Sequence, residues 1–256
     1  MFKKHHLKIR LAFVVFLVLL LNKFLREGLD ILNIEKAYIY YLLKIGAKTI
    51  LFVLTLWLIK KNNFQTSNKN NIIITVVGIV IFCFSLFTIQ KKIPSVISFD
   101  TNLLFLLSCL AVALFEELFF RVFIFNAFKR MGYKSFKLIV ITSVVFGLAH
   151  LVNFFNADYE KFSVLNQVVF AFSIGLLLQS IYVRFKNITI CIVVHTIINY
   201  FGTYKARLIH YNPLIENIHL ESSYTFTDFI GTFLALIIIT GIFILPISYL
   251  LQRRVN

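Results

Sequence analysis

The chain has 256 residues, 59% of them apolar and 16% aromatic, with only 14% charged. That composition excludes an ordinary soluble domain and points to a protein whose outer surface faces lipid. The net charge of +15 reads as a topology signal and a contact surface for anionic membrane lipids, and gives no reason to invoke nucleic acid.

A bilayer span needs about 20 mainly apolar residues, and eight such stretches lie between islands of charge. The first, Leu11–Leu21 with its flanks, follows Lys3, Lys4, Lys8 and Arg10 as a signal peptide would. Asn22, Lys23 and Phe24 follow it in place of a small-residue cleavage site, so a retained span is expected. The second, Tyr38–Ile59, contains Lys44 and Lys48. Lys44 can snorkel to the outer interface, whereas Lys48 either faces a polar cavity or marks a later start of the span. The third to eighth run Ile72–Ile89, Leu103–Phe128, Phe136–Val152, Val164–Val183, Ile188–Phe201 and Phe226–Leu250. Asn62–Asn71 is a short polar loop, and Lys205–Asp228 is the longest segment outside the spans.

Eight spans put both termini on one side. The terminal segments and the loops on their side carry 15 basic residues and no carboxylate, against 8 basic residues and every extramembrane carboxylate in the other loops. By the positive-inside rule both termini are expected in the cytoplasm. The fold expected is an all-α polytopic transmembrane bundle, multi-pass in the cell membrane. Its amino-terminal helices fall in 1–100, a catalytic core in 101–202, and an external loop with the final helix in 203–256. Cys83, Cys109 and Cys191 lie in apolar runs without CxxC spacing, so they read as buried small hydrophobes.

An ionised side chain near the bilayer centre costs roughly 2.5 to 3.5 kcal/mol on insertion scales, so its presence asks for a reason. The fourth span holds Glu116, Glu117 and Arg121. Glu117 and Arg121 have the favoured i,i+4 order for a helical ion pair, which leaves Glu116, rotated by about 100°, free. The plain alternative is a packing network between helices. In the fifth span Gly147 and Ala149 would let another helix come close, and His150 could share a face with Phe146. In the seventh, His195 and Asn199 point the same way, one turn apart. Counted at 1.5 Å per residue from the cytoplasmic ends, Glu116, His150 and His195 lie about 18, 20 and 10 Å deep, so the three motifs can share one layer.

A carboxylate beside a His can deprotonate water, and a second His with an Asn can stabilise an oxyanion. Those are the parts needed for hydrolysis of a peptide bond. HExxH, an intramembrane Asp pair and a GxSxG elbow are all missing from the sequence. The order EExxxR (Glu116 to Arg121), FxxxH (Phe146 to His150) and HxxxN (His195 to Asn199) resembles the CAAX prenyl proteases and bacteriocin-processing enzymes, the abortive-infection proteins. The likeness covers roughly residues 112–202. It implies a glutamic intramembrane protease in which Glu116 and His150 activate water, His195 and Asn199 form the oxyanion site, and Glu117 and Arg121 support them. It implies no cofactor. The alternative is zinc on Glu116, His150 and His195, with Cys191 as a possible fourth ligand.

The substrate implied is a membrane-associated peptide or protein, in peptide maturation or bacteriocin self-immunity. Richness in Ile, Phe, Lys and Asn points to a low-GC bacterium and hence to its plasma membrane. The rival functions are a non-catalytic membrane scaffold and a small transporter. Matched Gly/Pro-broken halves, the mark of a transporter, are not seen around Pro94, Pro213 and Pro246.

Overall fold

A computed structural model describes residues 2–31, 37–64, 99–155, 161–210 and 226–253. Every regular element among them is helical, as the composition predicts. Among the described residues five helices are long and apolar enough to cross a membrane: Tyr38–Lys61, Phe99–Arg130, Phe136–Phe155, Lys161–Phe185 and Thr227–Leu250. Ile188–Gly202 is a shorter apolar helix at the seventh expected span. The first expected span lies within a continuous helix, Phe2–Ile31, that is not one of the five. The third, Ile72–Ile89, lies outside the described residues.

The chain divides into two compact units, each built from separated segments. The first comprises Met1–Leu19, Phe120–Lys186 and Glu221–Asn256, and the second Leu20–Phe119 and Asn187–Leu220.

The second unit contains the carboxyl-terminal part of α1 (Phe2–Ile31), α2 (Ala37–Lys61), α3 (Phe99–Glu117) and α7 (Ile188–His210), with α3 packed against both α2 and α7. Its core gathers Tyr40, Tyr41, Phe105, Leu106, Cys109 and Tyr200. Phe105 bridges the helices through ring contacts at 5.5 Å to Tyr41 and 5.1 Å to Tyr200, each worth about 0.5–1.5 kcal/mol beyond burial. The buried Tyr200 hydroxyl donates to Asn102 Oδ1 at 2.6 Å, so this core contains a satisfied phenol. α7 is started by Asn187, whose Oδ1 accepts from the Thr189 amide at 2.9 Å, an N-cap that settles one of the helix's orphan donors. The far side of α2 exposes Leu42, Leu43, Ile50, Val53 and Trp57. A row of large apolar residues facing outward suits acyl chains and would be a liability in water.

A π-helical segment (Leu118–Ile124), which belongs to the first unit from Phe120 onward, leads into α4 (Phe125–Arg130). A turn through Gly132, at φ 93°, admits α5 (Ser135–Ala149). A 3-10 segment (His150–Phe155) ends that helix, and α6 (Lys161–Phe185) packs along it. Two glycines set their approach. A Cβ on Gly147 would sit 2.9 Å from the Val168 carbonyl oxygen, and one on Gly175 would sit 3.1 Å from Phe146 Cδ1. The expectation that Gly147 admits a neighbouring helix is met by α6.

α8 (Phe226–Ile239) and α9 (Leu245–Arg253) pack on α6 and are joined by a second π segment, Thr240–Ile244. Pro246 explains it: the ring has no N–H to give and collides with the carbonyl four residues back, so the preceding turn widens. Thr240 in that turn shares a hydrogen bond with Ser173 of α6.

Candidate active site

The carboxyl end of α3 and the middle of α7 meet at His195. Its Nδ1 lies 2.8 Å from Glu117 Oε1, and its Nε2 lies 3.7 Å from Glu116 Oε2. A carboxylate oxygen accepts, so Nδ1–H donates to Glu117. The longer separation on the Nε2 side is an electrostatic contact and no hydrogen bond. Glu117 is fully buried, whereas the Glu116 side chain keeps 16% of its surface. Glu116 is therefore the carboxylate that a small molecule can still reach. Asn199 follows His195 by one turn of the same continuous helix and is half-buried.

Sequence spacing assigns Glu117 to Arg121. Residues 118–124 wind as a π-helix, whose bonds run from i to i+5, and each of the two residues also has a contact with a ring remote in sequence. Glu117 holds the His195 ring, while the Arg121 guanidinium lies 4.6 Å from the centroid of the Phe146 ring.

In the other unit Phe146 is the organising side chain. Phe120 meets it edge-on at 4.9 Å, and the His150 ring meets it edge-on at 5.2 Å. The Phe146 carbonyl oxygen lies 3.0 Å from His150 Nδ1. A carbonyl can only accept, so Nδ1 carries the proton, and in the neutral ring Nε2 presents a lone pair. His150 is half-buried at the end of α5, where the helix tightens into the 3-10 segment. Asn153 in that segment donates to Gln167 of α6 at 2.7 Å, which pins the turn after the histidine. The expected sharing of a face by Phe146 and His150 is found.

Residues 98–201 match the family model described as type II CAAX prenyl endopeptidase Rce1-like. Over these residues the chain is similar to the Rce1-like family. No curated protein and no solved structure matches the chain. The matched segment contains all three motifs, and the family it resembles is one of prenyl endopeptidases.

For the Rce1-like core the zinc alternative asks for three clustered ligands. Among the described residues no group of three or more His, Cys, Asp or Glu is placed to hold a metal ion. Cys191 is buried, with its Sγ directed to the Asn187 carbonyl oxygen of its own helix at 3.9 Å.

Motif reading overlooked one neighbour. Lys48 of α2 lies with its Nζ 2.5 Å from Asn22 Oδ1 and 5.6 Å from the ring centroid of Phe115, the residue before Glu116. The only sequence signal was a lysine inside an apolar span, which names no partner.

Proposed function

We propose that the chain is an intramembrane endopeptidase that hydrolyses a peptide bond of a membrane-associated protein or peptide. Water is activated by Glu116 and His150, and the oxyanion is met by His195 and Asn199. The observation that carries the reading is the carboxylate pair on His195, one buried and one partly accessible, inside apolar helices of an Rce1-like segment. A fully buried Glu117 orients the imidazole, and the partly accessible Glu116 is left for water. For His195 to donate from Nε2 the ring must hold both protons, and Glu117 on Nδ1 is the counter-ion such a ring needs. His150 enters through its motif and through its Nδ1 bond, which leaves Nε2 to accept a proton. Glu117 and Arg121 act by holding His195 and Phe146. The reaction is written without a metal. The setting is a bacterial plasma membrane, with eight spans and cytoplasmic termini, and the role is peptide maturation or bacteriocin self-immunity.

Comparison of membrane peptides from cells carrying wild type or Glu116→Ala should reveal products made only by the wild type. On such a substrate, Glu116→Gln and His150→Ala should lower the rate by about 10² to 10⁴ with unchanged membrane insertion. Asn199→Ala should leave more activity, with a loss of about 10² to 10³. Activity should survive exhaustive chelation. Full activity in Glu116→Gln would return the motif to a packing network, and activity lost on chelation and restored by zinc would make the site metallic.

A further inference from the structure

Lys48 stands 11 residues from the start of α2 and 13 from its end, so at 1.5 Å per residue it is about 16 to 20 Å from either terminus. That is farther than a lysine side chain reaches by snorkelling. An ammonium so placed in an apolar helix is costly unless something compensates it. Lipid headgroups are out of reach, so the compensation must come from protein.

The structure supplies it from two other helices. Asn22 of α1 accepts from Nζ, and the face of Phe115 on α3 lies beside the ammonium. Glu116, the residue after Phe115, brings an opposite charge to the same helix end, and Arg26, one turn beyond Asn22, brings a like charge to α1. The two carboxylates at the end of α3 are thus served differently. Glu117 has the His195 ring at hydrogen-bond distance, while Glu116 stands 3.7 Å from that ring and directly follows Phe115, whose ring lies 5.6 Å from the Lys48 ammonium.

We propose that Lys48 is a positioning residue of the active site, its ammonium oriented by Asn22 so that it fixes the Glu116 carboxylate and balances its charge. This role rests on the peptidase reading above. It extends the site beyond residues 98–201 to α1 and α2, which then do more than anchor the core.

The test is the kinetics of purified Lys48→Met, Lys48→Arg and Asn22→Leu, with Glu116→Gln as the control. A displaced reacting group typically costs about 10²-fold. Lys48→Met should therefore lose about that much in kcat with KM unchanged. Lys48→Arg, which keeps the cation, should recover most of the loss, and Asn22→Leu should lose about tenfold in kcat at wild-type folded yield. A packing role would be met as well by Met as by Arg and would show no such rescue. If Glu116→Gln is inactive while Lys48→Met and Asn22→Leu turn over at the wild-type kcat, the role of Lys48 is overturned and the peptidase reading stands. Should Lys48→Met fail to insert, Asn22→Leu and Lys48→Arg decide alone, a wild-type kcat in Asn22→Leu again overturning the proposal. Activity retained in Glu116→Gln, or the absence of any Glu116-dependent product, overturns the peptidase reading and this role with it.

Discussion

His195 has a carboxylate on each side of its ring, and the two are held on unequal terms. The bond from Nδ1 to the fully buried Glu117 is the short one, so removing the imidazole takes a charge-assisted donor from a carboxylate with no access to water. Such a bond is worth about 1.5–3 kcal/mol. His195→Ala should therefore lower the thermal midpoint in detergent clearly more than Asn199→Ala, whose side chain is half-buried. Equal midpoints would mean that Glu117 does not depend on the ring. At this scale the three motifs were readable because Glu, His and Arg are rare in apolar helices and stand out. The bond from His195 to Glu117 could not be read, because the two residues are 78 positions apart and meet only through helix packing. The neighbours of Lys48 could not be read, because Asn22 and Phe115 are remote from it in sequence and meet it only through helix packing.

Between elements, α5 and α6 pack along each other, and the two glycines at their contact are not equivalent. At Gly147 an added methyl meets the Val168 carbonyl oxygen at 2.9 Å and the Phe172 amide nitrogen at 3.2 Å, both backbone atoms of α6. At Gly175 it meets the Phe146 ring at 3.1 Å and the Ser143 Cβ at 3.3 Å, and the ring can yield by a few tenths of an ångström. Gly147→Ala must part the helices and should cost about 1–3 kcal/mol. Gly175→Ala should cost less. Thermal unfolding in one detergent checks the order, and an equal or reversed ranking would show that α6 gives way more easily than this contact implies. The pattern Phe-Gly-Leu-Ala-His announced a close approach but not its partner, because small residues state how near a neighbour comes and not which neighbour it is.

For the whole molecule the apolar runs were the most legible feature, since any 20-residue hydrophobic stretch needs a helix to satisfy its backbone in lipid. Six of the eight expected spans coincide with apolar helices, one of them shorter than the rest. Sidedness rests on charge. With 15 basic residues on one set of loops and 8 on the other, reporter fusions should place Asn68 and the carboxyl terminus in the cytoplasm and Glu216 outside. Opposite sides for Asn68 and the carboxyl terminus would show a miscounted span. The outward faces agree with a lipid setting: α8, α9 and the turn between them expose Leu234, Ile238, Ile242, Phe243 and Leu250.

The π turn after Glu117 has a further meaning for how such a helix tolerates change in length. Wider than an α-turn, it accommodates a residue that regular winding would have no room for, and no proline or glycine in Leu118–Ile124 demands it. Loss of a single residue there would let the helix run straight through with regular backbone bonds. It would also turn everything beyond by about 100°, carrying Arg121 and its neighbours off their present faces. The irregularity gives up some regular winding in the turn that contains Arg121, the kind of concession of stability to function that natural proteins make where geometry matters most.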